Sequence, residues 1–249
     1  MGDSRVGGAR KASAVNPSLR FLLSPIFDGA LAPAHRADLA KSGLTEQTIR
    51  DQRICSVPAG PGMLQGLLGF DLPAMRSALL FPFPDAAGGF MDHVRMKIFP
   101  TLVKVRRAGR SRYVPEDELQ PDEHKLETLK YVQPKGSEPR LYFVRSVLPL
   151  VMDSSTALYV LEGEKKALAA AQLGLAAIGI AGIHGWHASG VRQLLADFAR
   201  IPLVGRMVEL VPDGDVATNQ AVQAGAADFA DALHHVGAHS RIVLLPVAA

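Results

Sequence analysis

The chain has 249 residues, 48% of them hydrophobic, with a net charge of +3 and one cysteine, Cys55. That length holds one large domain or two small ones around a real core, and so small a net charge leaves any polyanion binding to local clusters. A single cysteine excludes an intramolecular disulfide and a cysteine-rich zinc site, and it suits a reducing cytoplasm.

Positions 1–18 are rich in Gly, Ser, Arg and Ala and lack an apolar signal region, which predicts a disordered tail. Residues 19–150 are expected to form a smaller, basic α+β region, and 151–249 an α/β domain. Within the first region, 33–54 reads as two short helices: Leu39 closes one, Ser42-Gly43 breaks the chain, and Thr45 caps the next. Residues 56–77 carry no clear period. A strand is predicted at 79–81, a turn at 85–89 and a second strand at 90–99. In the second strand Val94, Met96 and Ile98 point one way and His93, Arg95 and Lys97 the other, so a β-hairpin with a basic face is expected.

The basic character continues. Between positions 95 and 112 stand Arg95, Lys97, Lys104, Arg106, Arg107, Arg110 and Arg112, with no acidic residue among them. Such a run can neutralise phosphates, and neighbours such as Phe99 and Tyr113 can stack on bases; the alternative is a solvated loop between domains. Acidic residues return over 116–123, as in an exposed linker. Lys130-Tyr131, the turn at 134–137 and a strand at 140–144 read as another hairpin-like unit, in which Lys130, Lys135 and Arg140 are candidate phosphate contacts.

From 157 onward the pattern changes to strands alternating with helices. Apolar runs at 157–161, 176–180, 207–211 and 241–245 read as strands. Helices are expected at 164–173, at 191–198 (from the stripe Val191, Leu194, Leu195, Phe198) and at 222–236. The order β-α-β-α-β-α-β predicts a parallel, Rossmann-like sheet covered by helices. The apolar stretch at 167–183 contains Gln172, Gly174, Gly179 and Gly182, so it is expected to be buried core and not a membrane span. His184 and His187 lack a third ligand at metal spacing, and Trp186 is expected to fill the adjacent core.

Two acidic loops follow strands of this sheet: Leu161-Glu162-Gly163-Glu164 and Asp213-Gly214-Asp215. In parallel sheets the site lies at the carboxyl ends of the strands, so Glu162, Asp213 and Asp215 are expected to converge. Three carboxylates gathered together repel unless a cation joins them, and an all-oxygen set suits Mg²⁺ or Mn²⁺.

Glu162-Gly163 after a strand, a Gly-rich middle, and Asp213-Gly214-Asp215 before an Ala-rich helix resemble the TOPRIM domain of bacterial primases, topoisomerases and related nucleases. More closely, Leu161-Glu162-Gly163-Glu164-Lys165-Lys166-Ala167 and the stretches 178–186 and 213–245 resemble an uncharacterised TOPRIM-like family of phage and mobile-element replication proteins. The resemblance implies a TOPRIM-type sheet at the C-terminus and Mg²⁺-dependent, primase-like phosphoryl transfer on nucleic acid, with single-stranded DNA favoured. A helicase or other replication protein is the implied partner. In that frame Glu162 is general base or metal-bridging acid, Asp213 and Asp215 hold the metal, and Lys165 or Lys166 steadies phosphate charge. Hydrolysis by a TOPRIM nuclease and a noncatalytic nucleic-acid or nucleotide-binding module are the alternatives. Pro212 directly before Asp213, and the end of the sequence soon after the last predicted strand, lead to an expectation of metal binding with weak turnover in isolation.

Overall fold

The computed structural model of the protein describes residues 16–58, 61–107, 110–214 and 218–244. Its elements in chain order are α1 Pro17–Leu22, α2 Pro33–Ala40, α3 Glu46–Asp51, β1 Cys55–Ser56, α4 Pro61–Leu68, β2 Ser77–Pro84, β3 Phe90–Arg107, β4 Arg110–Pro115, β5 His124–Val132, β6 Tyr142–Phe143, α5 Leu148–Val151, β7 Leu158–Glu162, α6 Glu164–Gln172, β8 Ala176–Ile180, β9 Met207–Val211, α7 Gln220–His235 and β10 His239–Ile242. Residues 1–15 of the predicted tail lie outside the described residues. Residues 16–18 instead open a helix, because the Asn16 side chain accepts from the backbone N–H groups of Ser18 and Leu19 and Pro17 occupies the first helical position. Likewise the Thr45 hydroxyl caps α3 by accepting from Thr48 N–H at 3.2 Å.

The elements build two sheets. In the first, β3 is the spine: β2 and then β4 pair antiparallel along one edge, and β5 lies antiparallel along the other. The predicted strand at 90–99 therefore runs on to Arg107, and the described residues of the basic stretch belong to paired strands and not to a loop. Both faces of this sheet are covered. Ala78, Leu80, Val94, Met96, Ile98 and Val132 pack on α1 and α4, while Leu79, Phe81 and Phe83 join the core of the second sheet.

The second sheet has the order β10-β9-β7-β8-β6. The first four strands are parallel; β6 is antiparallel to β8. That corrects the expected hairpin at 130–144. Tyr142 and Phe143 are buried in the second core, and the Gln52 amide donates to Phe143 O at 2.7 Å, which secures the strand on this sheet.

A second correction concerns 191–198, which is not an α-helix. Leu195 N–H donates to Trp186 O at 2.9 Å, Arg140 grips Asp197 in a bidentate pair, and a 3₁₀ turn at Ala196–Arg200 ends before Pro202. Only Leu195 and Phe198 of the expected stripe are buried, and one apolar i, i+3 pair does not make an amphipathic helix. Trp186 fills the core as expected, stacked on Phe229 with ring centres 5.2 Å apart. No described helix is long and apolar enough to cross a membrane.

His93 is buried against the edge of Phe83, with Arg140 and Asp197 nearby. Burial pushes its imidazole down to about 4 from an ordinary 6.5, and the Arg140 charge adds to the shift. Between those values the unfolded chain holds the proton and the folded one does not, so stability falls as pH drops from 6.5 toward 4. The loss from this residue is on the order of 3 kcal/mol at the acid end. Chemical denaturation of His93→Phe beside the parent, at pH 7 and pH 4.5, should show a smaller acid loss in the variant.

Candidate functional site

Glu162 ends β7, and Asp213 follows β9 by two residues. The strands are adjacent and parallel, with Leu161 opposite Val211. At a strand separation of about 4.8 Å this register brings both acidic loops to one point on the carboxyl edge of the sheet. Between Glu162 and α6 the chain must turn at once, and Gly163 does so at φ 90°, ψ 155°, a conformation closed to side chains. Its N–H donates to Ile180 O at 2.8 Å, tying the turn to β8.

A cleft of about 270 Å³ opens there, lined by Arg95, Tyr131, Glu162, Gly163, Glu164, Lys165, Lys166, Gly182 and Asp213. The sheets thus meet at the site: Arg95 and Tyr131 come from the first, the remainder from the second. Its cations face carboxylates. Arg95 donates to Glu164 at 3.1 Å and its guanidinium lies 4.6 Å above the Tyr131 ring. Lys166 is ion-paired with Asp213. Lys165 reaches Asp38 at 3.1 Å, and Lys97 pairs with the other oxygen of the same carboxylate.

Protonation follows from these contacts. Burial raises the Asp38 pKa, and the hydrogen bonds from Lys97 and Lys165 more than reverse it, leaving it below the ordinary value. Burial lowers that of Lys165, with Asp38 opposing. The Tyr131 phenol is pushed up to about 12, first by burial and then by the Glu164 charge, so it stays protonated at neutral pH.

Of the expected site residues, Glu162, Asp213, Lys165 and Lys166 line one cleft; Asp215 lies outside the described residues. Among the described residues no three His, Cys, Asp or Glu side chains gather closely enough to hold a metal ion. The expected open basic face at Arg95 and Lys97 is corrected: the alternation is there, but the face turns toward the second sheet, where both residues are mostly buried and ion-paired. Farther out on the same strand, Lys104 lies 3.6 Å from Glu127 and 5.9 Å from the Tyr113 ring centre. Arg112 pairs at 2.8 Å with Glu123, whose carboxylate is buried, so the expected acidic linker is in part anchored. Arg106, Arg110, Lys130 and Lys135 are exposed, and the Arg107 side chain lies outside the described residues. Asp38 has no sequence signal of its own; it sits on a short helix 59 residues before Lys97 and 127 before Lys165. Glu164, expected at the first turn of the helix, is there as well as facing Arg95.

Residues 148–248, less than half of the chain, match the family model of a domain of unknown function, DUF3854. No curated protein sequence matches the chain. The fold is that of primase catalytic cores. It is similar to the DnaG catalytic core at 18% identity and TM-score 0.51, over 90% of this chain and 67% of that one. It is also similar to a DnaG primase catalytic domain bound to ssDNA, at 18% identity and TM-score 0.50, over 90% and 68%. A third similarity is to the zinc-binding and RNA polymerase domains of Aquifex aeolicus primase, at 12% identity and TM-score 0.52. There the match covers 86% of this chain and half of the other. At these identities the likeness is one of fold.

The shared carboxylate makes a sharp test. Asp38→Asn leaves two largely buried ammonium groups facing each other, at a cost of roughly 1–3 kcal/mol. Urea denaturation should show that loss, and adding Lys97→Met should recover part of it.

Proposed function

We propose that the protein is a TOPRIM-like, Mg²⁺- or Mn²⁺-dependent enzyme of phosphoryl transfer on nucleic acid, primase-like in its reaction. The observation that carries this reading is the cleft at the carboxyl edge of the second sheet, where Glu162 and Asp213 meet Lys165, Lys166 and Arg95. In this reading 151–249 is the TOPRIM-like domain, and 19–150 is the basic region that brings the strand to it. The primase-core fold supports the reaction class. Phage or mobile-element replication, and a helicase or other replication protein as partner, follow from the sequence resemblance.

Two of the three expected ligands, Glu162 and Asp213, line the described cleft. Glu162 and Asp213 offer carboxylate oxygens, and the Lys166 ammonium at Asp213 stands where a cation is electrostatically favoured. Glu162, Asp213 and Asp215 would hold the ion, which when bound neutralises charge on phosphate oxygens. In this reading Glu162 would also accept a proton from an attacking hydroxyl. Lys165, fixed by Asp38, presents a positioned charge to a phosphate in the cleft. The exposed Arg106, Arg110, Lys130 and Lys135, with the half-exposed Lys104, are candidates to hold the backbone of a single strand, and Tyr113 to stack a base.

Purified protein with a single-stranded template, labelled nucleotides and Mn²⁺ should give template-dependent product at a low rate. Glu162→Gln should abolish it without lowering the melting temperature. Cleavage of the template with no synthesis would replace this reading by a nuclease, and metal-dependent binding with neither reaction by a binding module. Separately, single-strand affinity should fall steeply with salt, and Arg106→Ala with Arg110→Ala should flatten the slope by about one to two contacts. An unchanged slope would remove these arginines from the interface.

A further inference from the structure

Lys165 and Lys166 are neighbours on the first turn of α6, yet they serve carboxylates of opposite character. Lys165 turns inward to Asp38, where the two side chains are only 19% and 15% exposed. Lys166 turns along the cleft to Asp213, and that pair is 45% and 50% exposed. An ion pair this open to water adds little net stability, because solvent screens it and the long lysine stem pays entropy to stay in place. The Lys165 contact is held by packing; the Lys166 contact is free to exchange.

We propose that Lys166 is a tethered counter-ion of Asp213 that a divalent cation displaces, and that the displaced ammonium then binds the phosphate of the incoming substrate. The inference rests on the metal reading of the cleft given above and assigns its regulation to one residue. A divalent ion on Asp213 and an ammonium hydrogen-bonded to the same carboxylate repel each other at close range, so one must leave. Lys166 has somewhere to go. Arg95 stays on the buried Glu164 and Lys165 shares the buried Asp38 with Lys97, so the released ammonium is the cleft cation left with no carboxylate contact and free to move. A phosphate is the ligand class that such a charge beside a divalent ion recognises. Metal and phosphate binding are therefore positively coupled: the metal frees the lysine, and the phosphate holds it away from Asp213.

The test uses Mn²⁺ alone first, with free ion followed by electron paramagnetic resonance. Lys166→Met should bind Mn²⁺ roughly twofold to fivefold more tightly than the parent, the scale of a lost half-exposed competitor. Lys166→Arg, which keeps the charge, should stay near the parent. Lys165→Met should give no such gain and should lower the melting temperature. Equilibrium dialysis with radiolabelled inorganic phosphate then reads the coupling: Mg²⁺ should raise phosphate retention by the parent and not by Lys166→Met. Unchanged or weaker Mn²⁺ binding in Lys166→Met overturns the inference and leaves the metal site standing. Absence of Mn²⁺ binding in the parent and in every variant overturns the metal reading as well.

Discussion

One carboxylate joins the two halves of this molecule at the cleft. Asp38, on α2, accepts from Lys97 of the first sheet and from Lys165 of α6, the helix that follows β7 of the second, with all three side chains largely removed from water. Neither lysine tolerates that burial alone, so the juxtaposition of β3 and α6 depends on where α2 lies. One turn earlier on the same helix, His35 fixes that position. Its ring nitrogens lie 2.8 Å from Ser56 Oγ and 3.0 Å from Ser77 Oγ, and its ring packs on Phe99 at 4.4 Å. Burial lowers its pKa, which keeps the ring a neutral hydrogen-bonding spacer near neutral pH. A short helix with little apolar stripe is thereby held by polar contacts on one side and charge on the other.

The carboxyl edge of the second sheet supplies the other constraint. Parallel register between β7 and β9 makes two loops neighbours although some fifty residues separate them in sequence. The backbone then does the rest. Gly163 lets the chain pass from strand to helix without a spacer residue, so Glu162 stands at the strand end and Lys165 and Lys166 in the first turn of the helix above it. On the next pair out, Arg241 of β10 clasps the buried Glu209 of β9 at 2.7 Å, which pairs a buried carboxylate at the open end of the sheet.

Much of this was legible in the sequence, for identifiable reasons. Strands β7, β8 and β9 and helices α6 and α7 follow from apolar runs and helical spacing, which are local signals. That Glu162 and Asp213 line one cleft follows from topology once the strands are taken as parallel. What was not legible depends on distant partners. Tyr142-Phe143 looks the same whether it pairs with β5 or with β8, and the choice is made by Gln52 and the second core. The stripe at 191–198 reads as a helix until Asp197 is taken by Arg140 and the Leu195 amide by Trp186. Alternation in β3 correctly separates two faces, but polarity cannot say whether the basic face meets solvent or a set of buried carboxylates.

Every cation lining the cleft touches a carboxylate, although Lys165 shares Asp38 with Lys97, so an arriving phosphate gains a free cation most easily by drawing one away from its partner. Exposure decides which partner yields. Glu164 is 3% exposed, and separating it from Arg95 would leave a buried carboxylate unpaired. Asp38 has two ammonium groups to satisfy it and keeps one if the other leaves, but both are packed between the sheets. Asp213 stands half in water, where its charge is solvated with or without Lys166. The cleft is rigid where its charges are buried and exchangeable at its rim, and the exchangeable carboxylate is Asp213, just past the end of β9 in the cleft that Glu162 also lines.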